Sequence, residues 1–415
     1  MPEIDLRQKP LRITSVIASL TAGGIGPVCR YAAEGMAKST NWRLTLLSLH
    51  DPVSDQTDEV SGLRIVCLGL DRDCARRFLE WLAENPQDLI ITSDVCQIES
   101  AFPVLPQAIR HVVQIHDSGR RYRAVAVRHA AWVDGVTCVG NHIETPLQRS
   151  LTKVGFRGLL RTVHNGASFP PLIPRQPYEG PLRLLFMGRV DALKGAFDLV
   201  PLLMQLKQLR VPVTLKIVGG ENLALRRQFQ RKQIADMVTW SGRVPHEQCY
   251  PIAAKSDLLL LPTRKESFGM VTIEAMSMGC VPIAYDIPSG STEIIAHGKS
   301  GLLVPLGDIR AWAEQVRTLD QDRRWLMRLS EDTVVRARTC FDSKTMSQNL
   351  TTYLGDVMDQ AESSPATREP GLPLESAATI AGSRRGYQRL PAGFRDWIRN
   401  RVHSNPHVSH WLLSR

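Results

Sequence analysis

Asp257-Leu258-Leu259-Leu260-Leu261-Pro262-Thr263-Arg264-Lys265-Glu266-Ser267-Phe268-Gly269-Met270-Val271-Thr272-Ile273-Glu274-Ala275-Met276 reads as a strand, a short polar loop and the start of a helix. Four consecutive leucines leave no polar face, so Asp257–Leu261 is predicted to be a buried strand. The helix is predicted to begin near Gly269. Its first N–H groups and positive dipole end would then face whatever lies above the strand, which favours a phosphate. Glu266 falls in the loop at the mouth, and Glu274 falls one to two turns into the helix. Two carboxylates with seven residues between them could grip one charged ligand at two places. A surface loop followed by an ordinary helix would fit the same residues.

The chain around this segment repeats one pattern. Strands are predicted at Leu182–Met187, Val213–Val218, Val281–Tyr285 and Leu302–Val304, with helices between them and a helical region from about Asp308 to Asp359. Gly188-Arg189-Val190-Asp191-Ala192-Leu193-Lys194-Gly195 follows the first of these strands and precedes a helix near Ala196–Leu209. Arg189 and Lys194 beside a helix start can neutralise a diphosphate without a metal, although two solvated loop cations would look alike. The first half has the same construction, with strands predicted at Leu11–Ile17, Leu44–Leu49, Leu63–Val66, Asp88–Thr92, His111–Ile115 and Gly135–Val139. Ala22-Gly23-Gly24-Ile25-Gly26 follows the first strand and leads into a helix near Pro27–Lys38, where proline suits a first turn. His116 ends an apolar strand, at the rim where ligands bind, though a lone histidine is usually structural. Four prolines in Ser168–Pro177 mark a linker.

Strands alternating with helices predict an α/β fold of two doubly wound, Rossmann-like domains facing a cleft. The expected division is 1–170, a linker at 171–177, and 178–340. A helix at 341–360 crosses back to the first domain, and a basic amphipathic tail follows at 361–415.

Composition narrows the class. The chain has 415 residues and 43 % apolar content, enough for two cores. Its first ten residues lack the apolar stretch of a signal peptide, and no apolar run approaches the ~18 residues that span a bilayer. Eight cysteines, at 29, 67, 74, 96, 138, 249, 280 and 340, include no C-x-x-C pair, which argues against both a zinc site and a disulfide framework. A cytoplasmic protein is expected. Of the net charge of +10, +6 lies in 384–415, so the body of the chain has an ordinary balance.

The 262–276 segment resembles the Glu-x7-Glu signature of retaining GT-B glycosyltransferases, family 4 above all (the glycosyl transferases of group 1). The resemblance covers roughly Leu11 to Asp359 in order. It takes in the glycine loop 23–26, His116-Asp117, Asn165-Gly166, the Gly188–Gly195 loop, Ile217-Val218-Gly219-Gly220, Ser241-Gly242-Arg243-Val244, and Glu293-Ile294-Ile295 with Gly298 and Gly301. Pro288-Ser289-Gly290-Ser291-Thr292 departs from it, since the family often carries Gly-Gly there. The resemblance implies a GT-B fold with a C-terminal helical extension and transfer of a sugar from a UDP- or GDP-linked donor to a saccharide or lipid-linked acceptor. It further implies that Gly24, Arg189 and Lys194 bind the donor diphosphate. Glu266, Ser267, Phe268, Gly269 and Met270 would meet the donor sugar, Glu274 the ribose, and His116 with Glu266 would be catalytic. No metal, cofactor or nucleic acid is implied.

Two further patterns stand apart. Asp71-Arg72-Asp73 looks like a metal-holding D-x-D, but it opens a predicted helix (Arg72–Glu84), where aspartate is a favoured cap. In the tail, Leu390, Phe394, Trp397, Ile398 and Val402 share one helical face flanked by Arg395, Arg399 and Arg401. Such a helix can lie on an anionic membrane surface, here the inner membrane face, or dock on its own domains. A sugar-nucleotide epimerase of the same build and a non-catalytic nucleotide-sugar binder are the alternative functions.

Overall fold

The computed structural model describes residues 9–21, 23–69, 73–175 and 179–363. The first sheet contains β1 (Arg12–Ile17), β2 (Arg43–Ser48), β3 (Ser54–Thr57), β4 (Arg64–Cys67), β5 (Leu89–Ser93), β6 (Arg110–Ile115), β7 (Gly135–Cys138) and β8 (Leu159–Thr162). Their order is β3-β4-β2-β1-β5-β6-β7-β8, parallel except where β3 meets β4. The second sheet contains β9 (Leu182–Met187), β10 (Val213–Val218), β11 (Val238–Gly242), β12 (Leu258–Leu261), β13 (Val281–Asp286) and β14 (Leu302–Pro305). It is parallel throughout, in the order β11-β10-β9-β12-β13-β14. Both orders reverse beside the first strand of the sheet. That is where a doubly wound sheet opens a crevice at the carboxyl ends of its strands.

Three strands have no counterpart in the sequence reading: β3, β8 and β11. All three are sheet edges. An edge strand needs only one covered face, so Ser54-Asp55-Gln56-Thr57 is largely exposed and Val238–Gly242 alternates between half-buried and exposed residues. Neither presents the continuous apolar run that marks the central strands. The helical stretch after Asp308 is three helices, Ile309–Gln321, Arg323–Cys340 and Ser343–Ser363. Asp308 and Asp322 start the first two by accepting the N–H groups of Ala311 and Trp325 at 2.8 and 2.9 Å.

The last helix lies on the first sheet. Met346, Leu350, Tyr353, Leu354 and Val357 are buried in one cluster with Ile13, Val28, Leu89 and Val112, and the Tyr353 hydroxyl donates to the Leu159 carbonyl at 3.1 Å. The chain therefore crosses between the sheets twice, and the crossings touch: Ala167 N–H donates to Phe341 O, and Ser343 N–H to Ala167 O. A further apolar cluster contains residues of both sheets, Ile115 and Cys138 from the first with Leu259 and Leu261 from the second. No described helix is long and apolar enough to cross a membrane. Asp71, Arg72 and the tail 384–415 lie outside the described residues.

Candidate active site

β12 ends at Leu261, and the loop after it is tied to the loop after β9. Arg264 N–H donates to the Leu193 carbonyl at 3.1 Å, and the Thr263 hydroxyl sits between the carbonyls of Leu193 and Lys265. The approach is closest at Gly195, whose backbone is left-handed (φ +69°). A Cβ there would lie 1.8 Å from the Pro262 carbonyl oxygen, so only glycine lets the two loops meet. Lys194 Nζ and Glu266 Oε2 form a partly buried ion pair as a result. The neighbouring helix is Met270–Met276. At seven residues it is barely two turns, so anion binding there depends on individual N–H groups more than on a long dipole.

His116 comes from the other side, at the end of β6. It is buried, its Nε2 lies 3.7 Å from Cys29 Sγ, and its Nδ1 has no hydrogen-bond partner among the described residues. Burial pushes the imidazole down to about 4, against a raising effect of the nearby Asn165 side chain, so it is neutral at pH 7. Asp94 holds the turn. It follows β5 with a left-handed backbone (φ 51°), and its carboxylate accepts the N–H groups of His116 (3.2 Å) and Asp117 (2.8 Å). Burial raises Asp94 to about 8, against those two donors.

These elements enclose a cavity of about 350 Å³ between the sheets. Gly24, His116, Lys194, Glu266, Ser267, Phe268, Gly269 and Met270 line it, joined by Asp117 and Asn165. Contacts cross the cleft here: Ser118 N–H donates to Ser267 Oγ at 3.1 Å, and Lys265 Nζ lies 3.5 Å from Asp117 Oδ1.

Two expected residues do not line it. The Arg189 side chain is 70 % exposed and points to Asp191 at 3.4 Å, because its position early in the loop turns it to solvent. Glu274 is buried and accepts from His246 Nε2 at 2.9 Å. The D-x-D residue within view, Asp73, caps the helix Cys74–Glu84 by accepting Arg76 N–H at 3.3 Å. Sequence reasoning missed Asp94 and His246. An aspartate straight after a buried strand was the available signal for Asp94. His246 has none, since its partner is 28 residues away.

Two facing Rossmann-like domains, with a cavity bearing a lysine and carboxylates between them, are the GT-B architecture. Residues 174–336 match the family described as glycosyl transferases group 1, so the half that carries Lys194, Glu266 and Glu274 is a group 1 glycosyltransferase domain. The chain is a glycosyltransferase. Among its relatives is a glycogen synthase of Mycobacterium tuberculosis, 26 % identical over 337 residues and 76 % of each chain. A D-inositol 3-phosphate glycosyltransferase of Jonesia denitrificans is 35 % identical over 142 residues, 31 % of this chain and 32 % of that one. In fold the chain is similar to a sucrose-phosphate synthase from Thermosynechococcus elongatus (TM-score 0.70, 20 % identity, 84 % of this chain and all of that one). It is also similar to the Anabaena protein HepE, whose structure holds UDP-glucose (TM-score 0.64, 18 % identity, 83 % of this chain and all of that one).

Proposed function

We propose that the protein is a retaining, family 4-like glycosyltransferase that moves a sugar from a UDP- or GDP-linked donor to a saccharide or lipid-linked acceptor, in polysaccharide or glycoconjugate synthesis. The observation that carries this reading is the Lys194–Glu266 pair facing buried His116 across one cavity. A donor diphosphate entering beside Lys194 gives the ammonium a second and denser anionic partner. Arg189 lies on the same loop and can swing in from solvent. Glu266 and the N–H groups of Phe268, Gly269 and Met270 then meet the donor sugar, while Glu274 holds the ribose.

In the reaction the bond from sugar C1 to the diphosphate oxygen breaks, and the acceptor oxygen bonds to C1 on the same face. The acceptor proton passes to the departing diphosphate. Lys194 stabilises the charge that grows on that leaving group, so no metal is needed. Neutral His116 supplies a hydrogen bond to the sugar without adding charge, and its place in the cavity lining supports this role. The enzyme works at the cytoplasmic side of a membrane, with 384–415 as its contact.

UDP or GDP is expected to raise the melting temperature of the wild type, by roughly 2.7 kcal/mol of added stability at a hundred times the dissociation constant. A chain unaffected by either nucleotide at millimolar concentration would contradict the donor assignment.

A further inference from the structure

Glu293 is the one residue of the Glu293-Ile294-Ile295 run whose side chain could do chemistry, and the donor site does not use it. It sits on a short helix of the second domain, Gly290–Ile294. Its carboxylate, however, accepts from the first domain. Oε2 takes Asn141 N–H at 2.9 Å, the Asn141 side chain at 3.1 Å and His164 Nε2 at 2.9 Å. Oε1 takes His142 N–H at 3.0 Å and His142 Nδ1 at 2.8 Å. A carboxylate can only accept, so both imidazoles carry their proton on the nitrogen that faces it.

Asn141 and His142 open the helix Asn141–Lys153, whose cap position is Gly140. Glycine has no side chain to satisfy the free N–H groups of the first turn. The second domain provides that acceptor instead. Burial alone would raise the Glu293 carboxyl, but the two histidines and the N–H groups of Asn141 and His142 outweigh it and hold it far below the usual carboxylate range. Behind it, Arg336 clamps the carbonyls of Glu293 and Ile294, at 2.9 and 2.5 Å, which fixes the backbone that presents it.

Both ends of this contact lead to the cavity. His164 precedes Asn165, which lines the cavity beside His116, and the His164 ring packs on Phe268 at 6.0 Å. On the other side, a Cβ on Gly290 would lie 2.3 Å from the Phe268 backbone, so the short helix bearing Glu293 rests directly on the sugar-side loop.

We infer that Glu293 is a positioning residue for transfer: it docks the first domain onto the second so that His116 and Asn165 face the Glu266–Met270 loop in register. Glu293 touches neither donor nor acceptor, and this role rests on the donor-site reading above. Its loss acts on the turnover step rather than on nucleotide binding, which belongs to the second domain.

The test compares wild type, Glu293→Gln and Glu293→Ala as full chains, with and without UDP or GDP. Amide hydrogen exchange is the first readout. In both variants the Asn141 and His142 amides are expected to exchange about tenfold faster, while Leu184 and Val136 inside the sheets keep their protection and so report an intact fold. In release of nucleoside diphosphate from UDP- and GDP-sugars, kcat is expected to fall roughly ten- to a hundredfold, as misplacement alone can cause, with UDP or GDP affinity within about twofold of wild type. His142→Gln, which removes one partner from the other side, should move kcat in the same direction.

Unchanged exchange at Asn141 and His142 would overturn the docking. Weakened nucleotide binding with unchanged kcat would make Glu293 a donor contact and overturn its positioning role. A wild type that binds neither nucleotide would refute the donor reading, and the exchange experiment would still decide for or against the docking.

Discussion

In the described conformation Lys194 neutralises Glu266, and whatever replaces that partner must be a stronger anion. A diphosphate is. Lys194→Ala is therefore expected to lower donor turnover by about 2–4 kcal/mol, the usual cost of removing a charge-assisted contact at a reacting centre. Arg189 is largely exposed, and exposed ion pairs contribute only about 0–1 kcal/mol, so Arg189→Ala should cost less unless the loop closes on the donor. Turnover by Lys194→Ala at the wild-type rate would refute the assignment. His116 gives a second expectation at this scale. Its folded value of about 4 lies below the ordinary ~6.5, so the unfolded chain binds more protons between those pH values. Its contribution to stability is complete above about 6.5 and is lost as pH falls towards 4. Asp94, raised to about 8, titrates in the opposite sense, so the measurement is the difference between wild type and His116→Gln in urea unfolding. That difference should grow by roughly 2–3 kcal/mol from pH 4 to pH 7. A difference that stays flat would show that His116 is not held neutral by burial.

At the scale of elements, the loop after β12 and the short helix behind it assign the two glutamates different work. Glu266 lines the cavity, whereas Glu274 is outside its lining and pairs with His246. Glu266→Ala is expected to lower kcat more than Glu274→Ala does, because only interactions that tighten in the transition state accelerate the chemical step. Glu274→Ala should chiefly raise the KM for donor. Steady-state kinetics with varied donor separates the two, and equal effects confined to KM would contradict the division. The same elements show what could be read in advance. The central strands were legible because their burial on both faces leaves runs such as Leu258–Leu261. The edge strands β3, β8 and β11 were not, because none of their residues is fully buried. The cavity loops were legible as far as Lys194 and Glu266, whose spacing carries the chemistry. The exposed side chain of Arg189 and the His246 pairing of Glu274 depend on side-chain direction, which no local pattern encodes.

For the whole molecule, the two chain crossings, the last helix on the first sheet and the shared apolar cluster bind the two domains around one cavity. The tail 384–415 carries +6 of the chain's charge, with Trp397 and Trp411 among its residues. Each arginine near an anionic surface contributes about 1 kcal/mol, so truncation after Ser363 is expected to abolish co-sedimentation with anionic vesicles and leave nucleotide binding intact. A truncated chain that melts earlier, beside a full chain that ignores vesicles, would show that the tail docks on the domains instead. The central claim is a cationic loop that releases a nucleoside diphosphate from a sugar donor without metal help. Its most direct test is to incubate the wild type and Lys194→Ala with UDP- and GDP-sugars in excess EDTA and measure the nucleoside diphosphate set free. The account predicts release by the wild type from at least one donor, and a loss of at least about thirtyfold in Lys194→Ala. Release by neither protein until a divalent metal is restored, or equal release by both, would contradict it.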